Sequence, residues 1–375
     1  MNQIEIDNEY KNRHNLTDRP TDRPTDRPTD RPTDRPISYI RLIAFCCIVT
    51  CHIQQYLGNG LCWWFNIGVQ IFLAISGFLY GGKNVTDDVE FYGRKFKQIL
   101  IPYYLTVLFF ITMHFIFFRD LISSESIIRV LLCNATLEGG EHLWFVPTIL
   151  MCYILTPLFQ RLFDSSRAVL KTFTITAGGL FIAFELFFPY FNSAWISCYF
   201  ISFAIGFAEC HKKILWKKLL IKAMLVLATI CNTIQIVLTY IVRVRLSESN
   251  KVLFQVFCDY SHAFLGVSIF VVLRYILKYL LEKRNPTKIV DFIVELSDEY
   301  SYEGYLIHQF FILGPMTLMH LTNCTGVNIL VVLITTFILT FLLKNCEHFI
   351  FKIKIGRKLD YEKNYARFRN STGSY

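Results

Sequence analysis

The sequence predicts an all-α fold, a polytopic membrane helix bundle with about ten transmembrane helices, and three observations predict it. The 375 residues are 53% hydrophobic and 16% aromatic, with a mean hydropathy of +0.39. That is more apolar than an ordinary soluble domain. The apolar residues gather into stretches of about twenty with few charges, the length needed to span the hydrocarbon core. The formal net charge of +9 comes from basic residues that lie between and after those stretches rather than along one amphipathic surface. That distribution is a topology signal, and it removes nucleic acid from the expected partners.

The chain opens on a polar tail in which Thr17–Pro36 is five perfect copies of Thr-Asp-Arg-Pro. Proline at every fourth place forbids a helix, and equal Asp and Arg leave nothing to bury, so residues 1–36 are expected to be disordered. Perfect peptide repeats suggest a tandem repeat in the DNA, read either as a length switch on expression or as a start codon set too far upstream. Ten spans follow in a transmembrane domain over 37–345: Ile37–Leu57, Trp63–Gly82, Gln98–Phe118, His142–Phe163, Thr172–Phe188, Ala194–Cys210, Leu219–Ile241, Tyr260–Leu281, Tyr302–Thr322 and Val327–Lys344. Residues 346–375 form a basic tail.

Arg94, Lys95, Lys97, Arg167, Lys171, Lys212, Lys213, Lys217, Lys218, Lys283, Arg284 and Lys288 fall on alternate connections. The positive-inside rule therefore puts both termini in the cytoplasm. No cleavable signal sequence is expected, because the N-terminus is polar and no small-residue cleavage site follows the first span. The twelve cysteines contain no C-x-x-C pair and lie mostly within apolar spans. They are expected to be packed apolar residues, and no metal site is expected.

Chemistry begins on the first span. Arg41 is its only formally charged side chain, and His52 follows eleven residues later. Eleven helical steps leave the two about 20° apart in azimuth and about 16 Å apart along the axis. A guanidinium near one end and an imidazole three turns deeper suit a long substrate with an anionic tail. The structural alternative is a snorkelling arginine and a histidine hydrogen-bonded within the bundle. In the second span Gly68, Ser76 and Gly77 are small residues of the kind that lets membrane helices pack closely. Arg94 and Lys97 stand before Ile-Pro-Tyr at the mouth of the third, placed either to set topology or to hold phosphates.

His142 and Trp144 open the fourth span, as an interfacial anchor or as a pocket where a sugar stacks on the indole. Ser301, Tyr305 and His308 follow i, i+4, i+7 spacing and form one polar stripe on an otherwise apolar helix. Glu185, deep in the fifth span, reads first as one member of a buried pair.

These motifs together resemble the acyltransferase-3 family of integral-membrane acyltransferases. The resemblance rests on Arg41-x10-His52, Gly68-Val-Gln-Ile-Phe-Leu-Ala-Ile-Ser-Gly-Phe-Leu79, Arg94-x-x-Lys97 before Ile-Pro-Tyr, His142-Leu-Trp-Phe, and Ser301-Tyr-x-x-Tyr-Leu-x-His308. They stand in the family's order over about Ile37 to Leu343. The resemblance implies transfer of an acyl group, usually acetyl, from cytoplasmic acyl-coenzyme A to a hydroxyl of a cell-envelope glycan or lipid-linked sugar at the inner membrane. No permanently bound cofactor is implied; acetyl-CoA is a substrate.

By position, His52 is then the catalytic histidine; His308 and Tyr305 read either as groups that orient it or stabilise the thioester oxygen, or as a structural polar contact. Arg41 and Arg94 are the bases of the two basic motifs. Lys97 stands where the family often has arginine, which keeps the charge and loses the bidentate fork. Ser76, His142, Trp144 and Ser301 complete the expected substrate-binding set. The rival reading from another class is an exporter of a polysaccharide precursor, since ten spans with buried polar residues also suit a conduit.

Overall fold

The computed structural model describes residues 34–83, 85–133, 137–164, 178, 196–211, 218–242, 248–283 and 286–372. The repeat tail, and the predicted span Thr172–Phe188 with Glu185, lie outside the described residues. The chain divides into Met1–Asp34 and Arg35–Tyr375, and the fold described below is that of the second unit.

Its regular elements are helices: α1 (Arg35–Tyr56), α2 (Cys62–Phe65), α3 (Gly68–Gly81), α4 (Asp88–Phe117), α5 (Ser124–Leu131), α6 (Phe145–Asp164), α7 (Ile196–His211), α8 (Lys218–Ile236), α9 (Glu248–Lys283), α10 (Lys288–Ile312) and α11 (Thr325–Thr372). A 3₁₀ turn, Glu141–Trp144, leads into α6, and a π turn, Val237–Val242, extends α8. Among the described residues seven stretches are long and apolar enough to cross a membrane: Arg35–Tyr56, Cys62–Gly81, Asp88–Phe117, Glu141–Phe163, Lys222–Thr239, Val256–Lys283 and Thr325–Lys352. Their outward faces are apolar, with Leu108, Phe117, Leu330, Phe337 and Leu342 all exposed, as surfaces that meet lipid must be.

Local signals explain the helix ends. Pro36, the last residue of the last repeat, sits in the first turn of α1, where proline costs no hydrogen bond. The Asp87 carboxylate accepts from the Val89 and Glu90 amides at 2.9 and 3.0 Å to cap α4. That cap starts α4 ten residues before the predicted span and makes Arg94–Lys97 part of the helix. Ser123 and Ser126 form a reciprocal capping box on α5.

Two other predicted spans are corrected. The stretch Tyr302–Thr322 is helical only to Ile312, because Gly314 and Pro315 follow and residues 313–324 run in turns. The helix instead extends backwards to Lys288. The sixth span is short, its apolar part being Cys198–Cys210. At the other end of the chain α11 continues through position 345, where the sequence suggested that a separate tail begins.

Helix α3 is the hub of the bundle, packing on α1, α6, α7 and α9. A Cβ added at Gly77 would lie 2.0 Å from the Phe203 carbonyl oxygen of α7, and one at Gly206 of α7 would lie 2.0 Å from that of Ala74. A Cβ at Gly68 would meet the Ala44 carbonyl oxygen of α1 at 2.5 Å. With no hydrophobic driving force between helices in lipid, such backbone-to-backbone approach is what holds them. It also fixes the position of α1, which carries Arg41 and His52.

Candidate active site

Three histidines from three elements meet at one end of the bundle. The rings of His52 on α1 and His308 on α10 have centroids 5.1 Å apart, and His142, in the turn before α6, stands 5.1 Å from His308. Tyr305 lies one turn before His308, with ring centroids 5.3 Å from His142 and 5.6 Å from His308. His142 and His308 are fully buried, whereas His52 is half-buried and its Nδ1 stands 3.3 Å from the Gln55 amide oxygen.

The loop before His142 explains how it reaches α10. Gly139 has φ +80°, and a Cβ there would lie 2.9 Å from the Phe310 ring and 3.0 Å from Gly314 Cα, so only glycine seats the loop on the end of α10. Glu141 then accepts from the Gly139 amide at 3.1 Å and from Gln309 Nε2 at 3.0 Å.

Backbone carbonyls fix the tautomers. His308 Nδ1 lies 2.7 Å from the Tyr305 carbonyl oxygen and His142 Nε2 lies 3.0 Å from that of Leu306. A carbonyl only accepts, so each of these nitrogens carries the proton. The other nitrogens, His308 Nε2 and His142 Nδ1, are buried without a partner. In the neutral rings they present lone pairs. The Tyr305 hydroxyl donates to the His142 carbonyl oxygen, which locks α10 to the turn. Among the described residues no three His, Cys, Asp or Glu side chains are arranged to hold a metal ion.

At the other end of the bundle the chemistry is ionic. Arg41 pairs with Asp298 on α10, which also accepts from Ser38. Arg35 pairs with Asp291 at 3.3 Å. Arg41 is also within electrostatic reach of Tyr80 and Tyr153. The Tyr153 hydroxyl is in hydrogen-bonding reach of Tyr80 and Ser76, so Ser76 belongs to this polar group. Tyr153 is in turn within electrostatic reach of Tyr302, and Tyr302 of Tyr305. Tyr80, Tyr153, Tyr302 and Tyr305 thus form a group of tyrosines between Arg41 and the histidines.

Of the two basic positions expected on α4, Arg94 is exposed but in electrostatic reach of Tyr80, and Lys97 is exposed. The residue turned inward is Lys95, whose Nζ lies 5.1 Å from the Tyr80 ring centroid and 6.0 Å from that of Tyr153. Lys83 Nζ covers Tyr80 at 4.8 Å. Trp144 packs on Tyr199 of α7, with ring centroids 4.5 Å apart. Ser301 is buried on the side of α10 that faces α1 and α11.

Sequence reasoning missed Asp298, Lys95 and the buried ion group Glu303, Lys344 and Glu347. A signal for the first was present: Asp291 and Asp298 are seven apart and so share one helix face. A half-buried arginine needs a carboxylate.

An apolar-faced bundle with imidazoles gathered where two helices and a loop meet is built as an integral-membrane enzyme. The chain belongs to the acyltransferase-3 family: residues 36–344 match the model of that family, described as an acyltransferase domain. It is therefore a membrane acyltransferase. No curated protein and no solved structure matches.

Proposed function

We propose that this acyltransferase moves an acyl group, acetyl by family expectation, from cytoplasmic acyl-coenzyme A to a hydroxyl of a cell-surface or exported polysaccharide. It does so in the inner (plasma) membrane with both termini cytoplasmic. The observation that carries the reading is the ring contact of half-buried His52 with buried His308, across the tyrosine group from Arg41. The cations at the Arg41 end, Lys83, Arg94, Lys95 and Arg41 itself, suit the phosphates of the coenzyme. The tyrosine group gives its pantetheine arm hydrogen-bond partners.

His52 removes the proton of the acceptor hydroxyl as its oxygen attacks the thioester carbonyl carbon. The carbon–oxygen bond forms, the carbon–sulfur bond breaks, and the proton passes from the imidazolium to the departing thiolate. An imidazole suits this near neutral pH, and general-base catalysis of this kind contributes about 10²–10⁴-fold. His308, its Nδ1–H given to a carbonyl, has a lone pair and no free N–H. Tyr305 has likewise given its hydroxyl proton to the backbone. Both are therefore assigned to positioning His52 and His142 rather than to stabilising the thioester oxygen.

The test is the alkali-labile O-acetyl content of surface polysaccharide, read by NMR in cells with the wild-type chain, a deletion, or His52→Ala at matched membrane abundance. Loss in both altered strains supports the reading. Unchanged acetylation with reduced polymer export overturns it for this acceptor and favours an exporter.

A further inference from the structure

The strongest feature outside the histidine cluster is a cavity of about 230 Å³ between α1, α10 and α11. Along α10 its wall runs from Ile293 to Ile312, about 28 Å of helix. The lining is almost wholly apolar, but His308 stands in it near one end. Gly304 keeps it open: a Cβ there would lie 3.0 Å from the Phe45 ring and 3.6 Å from Thr340 Oγ1, both in the wall. On the facing helix α11, Thr336 and Thr340 are 6% and 3% exposed, and neither hydroxyl has a partner. In a membrane helix a threonine ordinarily returns its hydroxyl to its own backbone, as Thr106 of this chain does at 2.9 Å. Two buried hydroxyls without a protein partner beside an apolar groove are costly unless a bound group accepts from them.

Helices α10 and α11 run in opposite directions, so the pairing of Gly304 with Thr340 places Thr336 at the level of His308. The hydroxyl donors therefore sit at the reaction-centre end of the groove, and the remaining length from His308 back to Ile293 is about 22 Å.

Resting on the acyl-coenzyme A reading above, we propose that this groove receives the alkyl chain of the donor's acyl group. The enzyme then accepts acyl chains longer than acetyl, up to medium length. A fatty acyl thioester matches both halves of the groove. Its carbonyl oxygen accepts from the threonine hydroxyls beside His308, and its hydrocarbon lies along the apolar wall. The tail of a bilayer lipid matches only the second half and has no reason to end at an imidazole. With a methylene taken to fill about the 30 Å³ of a water molecule, the cavity holds about eight carbons.

The probe is a series of S-alkyl coenzyme A thioethers, ethyl to dodecyl, titrated against the full chain in phosphatidylcholine nanodiscs. Binding is expected to tighten about fourfold per methylene up to about octyl and then level off. Gly304→Leu, which fills the groove at the glycine that keeps it open, removes this chain-length dependence and leaves S-ethyl coenzyme A binding within twofold. Phe45→Trp, on the facing wall, serves as the second variant should the leucine impair folding. Chain-length-independent binding by the wild-type chain overturns the assignment while the acyltransferase reading stands. So does a dependence that survives in both variants, or a phospholipid retained by the wild-type protein and lost from Gly304→Leu. If no thioether binds, S-ethyl included, the coenzyme A reading fails and the groove assignment fails with it.

Discussion

The two ends of α1 solve the problem of polar groups in a membrane protein in opposite ways. At the Arg41 end the groups are ions, half-exposed and matched one to one: Arg41 with Asp298, Arg35 with Asp291, Arg161 with Asp88. At the His52 end they are neutral rings, mostly buried, with two imidazole nitrogens left without a partner. Ions in partial contact with water cost little and can hold helices in register while still attracting an anionic substrate. A buried lone pair is costly and does nothing for stability. On the proposed mechanism, the pair held by His142 and His308 beside His52 marks the end where bonds change.

The largest expected effect separates the ends by chemistry. His52→Ala is expected to lower the transfer rate by about 10²–10⁴-fold, measured as coenzyme A release per enzyme, with no change in membrane abundance. Asp298→Asn is expected to leave that rate within about tenfold. A His52→Ala enzyme that keeps more than a tenth of wild-type activity would remove this histidine from the chemistry.

The next effect is on stability and concerns the ion group that joins α10 to α11. Lys344 Nζ reaches Glu303 at 2.8 Å and Glu347 at 3.0 Å, with side-chain exposures of 16, 3 and 7%. Lys344→Met strands two carboxylates and is expected to destabilise the protein by about 3–5 kcal/mol. Replacing all three residues with apolar ones is expected to be close to neutral. Thermal unfolding of the purified protein in nanodiscs distinguishes the two. A Lys344→Met variant as stable as wild type would mean the three groups do not act as one.

How much of this was legible in the sequence divides along the same line. The axial and azimuthal relation of Arg41 to His52 follows from helix geometry, and the stripe on α10 follows from spacing. The small residues Gly68 and Gly77 pointed correctly to close packing. What remained hidden was partnership across helices. Periodicity gives which face of α10 His308 occupies, but not that Gly139 brings a loop over to set His142 beside it. Helix α10 was misplaced for a physical reason: Asp291, Glu295, Asp298 and Glu299 made its first half look too charged for a membrane helix. Two of those carboxylates, Asp291 and Asp298, are the ones that Arg35 and Arg41 neutralise. On α4 the Arg94-x-x-Lys97 pattern fixed the right turn of helix but not the inward residue, because only the packing of α4 against α3 and α6 decides that Lys95 faces the tyrosines.

A third effect asks whether Arg41 serves only its carboxylate. If its role ends with Asp298, Arg41→Ala and Asp298→Ala each lose a charge-assisted bond of about 1.5–3 kcal/mol, and the double variant loses no more than either alone. If Arg41 also holds a coenzyme phosphate, Arg41→Ala raises the KM for acyl-coenzyme A about tenfold where Asp298→Ala does not. Steady-state kinetics of the three variants decide between the two.

The smallest expected effect contrasts two lysines a half-turn apart. Lys95 lies over the Tyr80 and Tyr153 rings of the tyrosine group, and Lys97 is exposed. An exposed ammonium contributes little beyond screened attraction, so Lys97→Ala is expected to change the KM for acyl-coenzyme A by less than about twofold. Lys95→Ala removes a cation held over the tyrosines and is expected to raise it about threefold to fivefold, with kcat unchanged, since no bond is made or broken at that end. Raising the salt concentration should shrink the Lys97 effect first, because that charge is the more fully screened. A larger penalty at Lys97 than at Lys95 would mean that the coenzyme approaches along the outer face of α4, and that the ionic end of the bundle meets its substrate from the side rather than through the tyrosines.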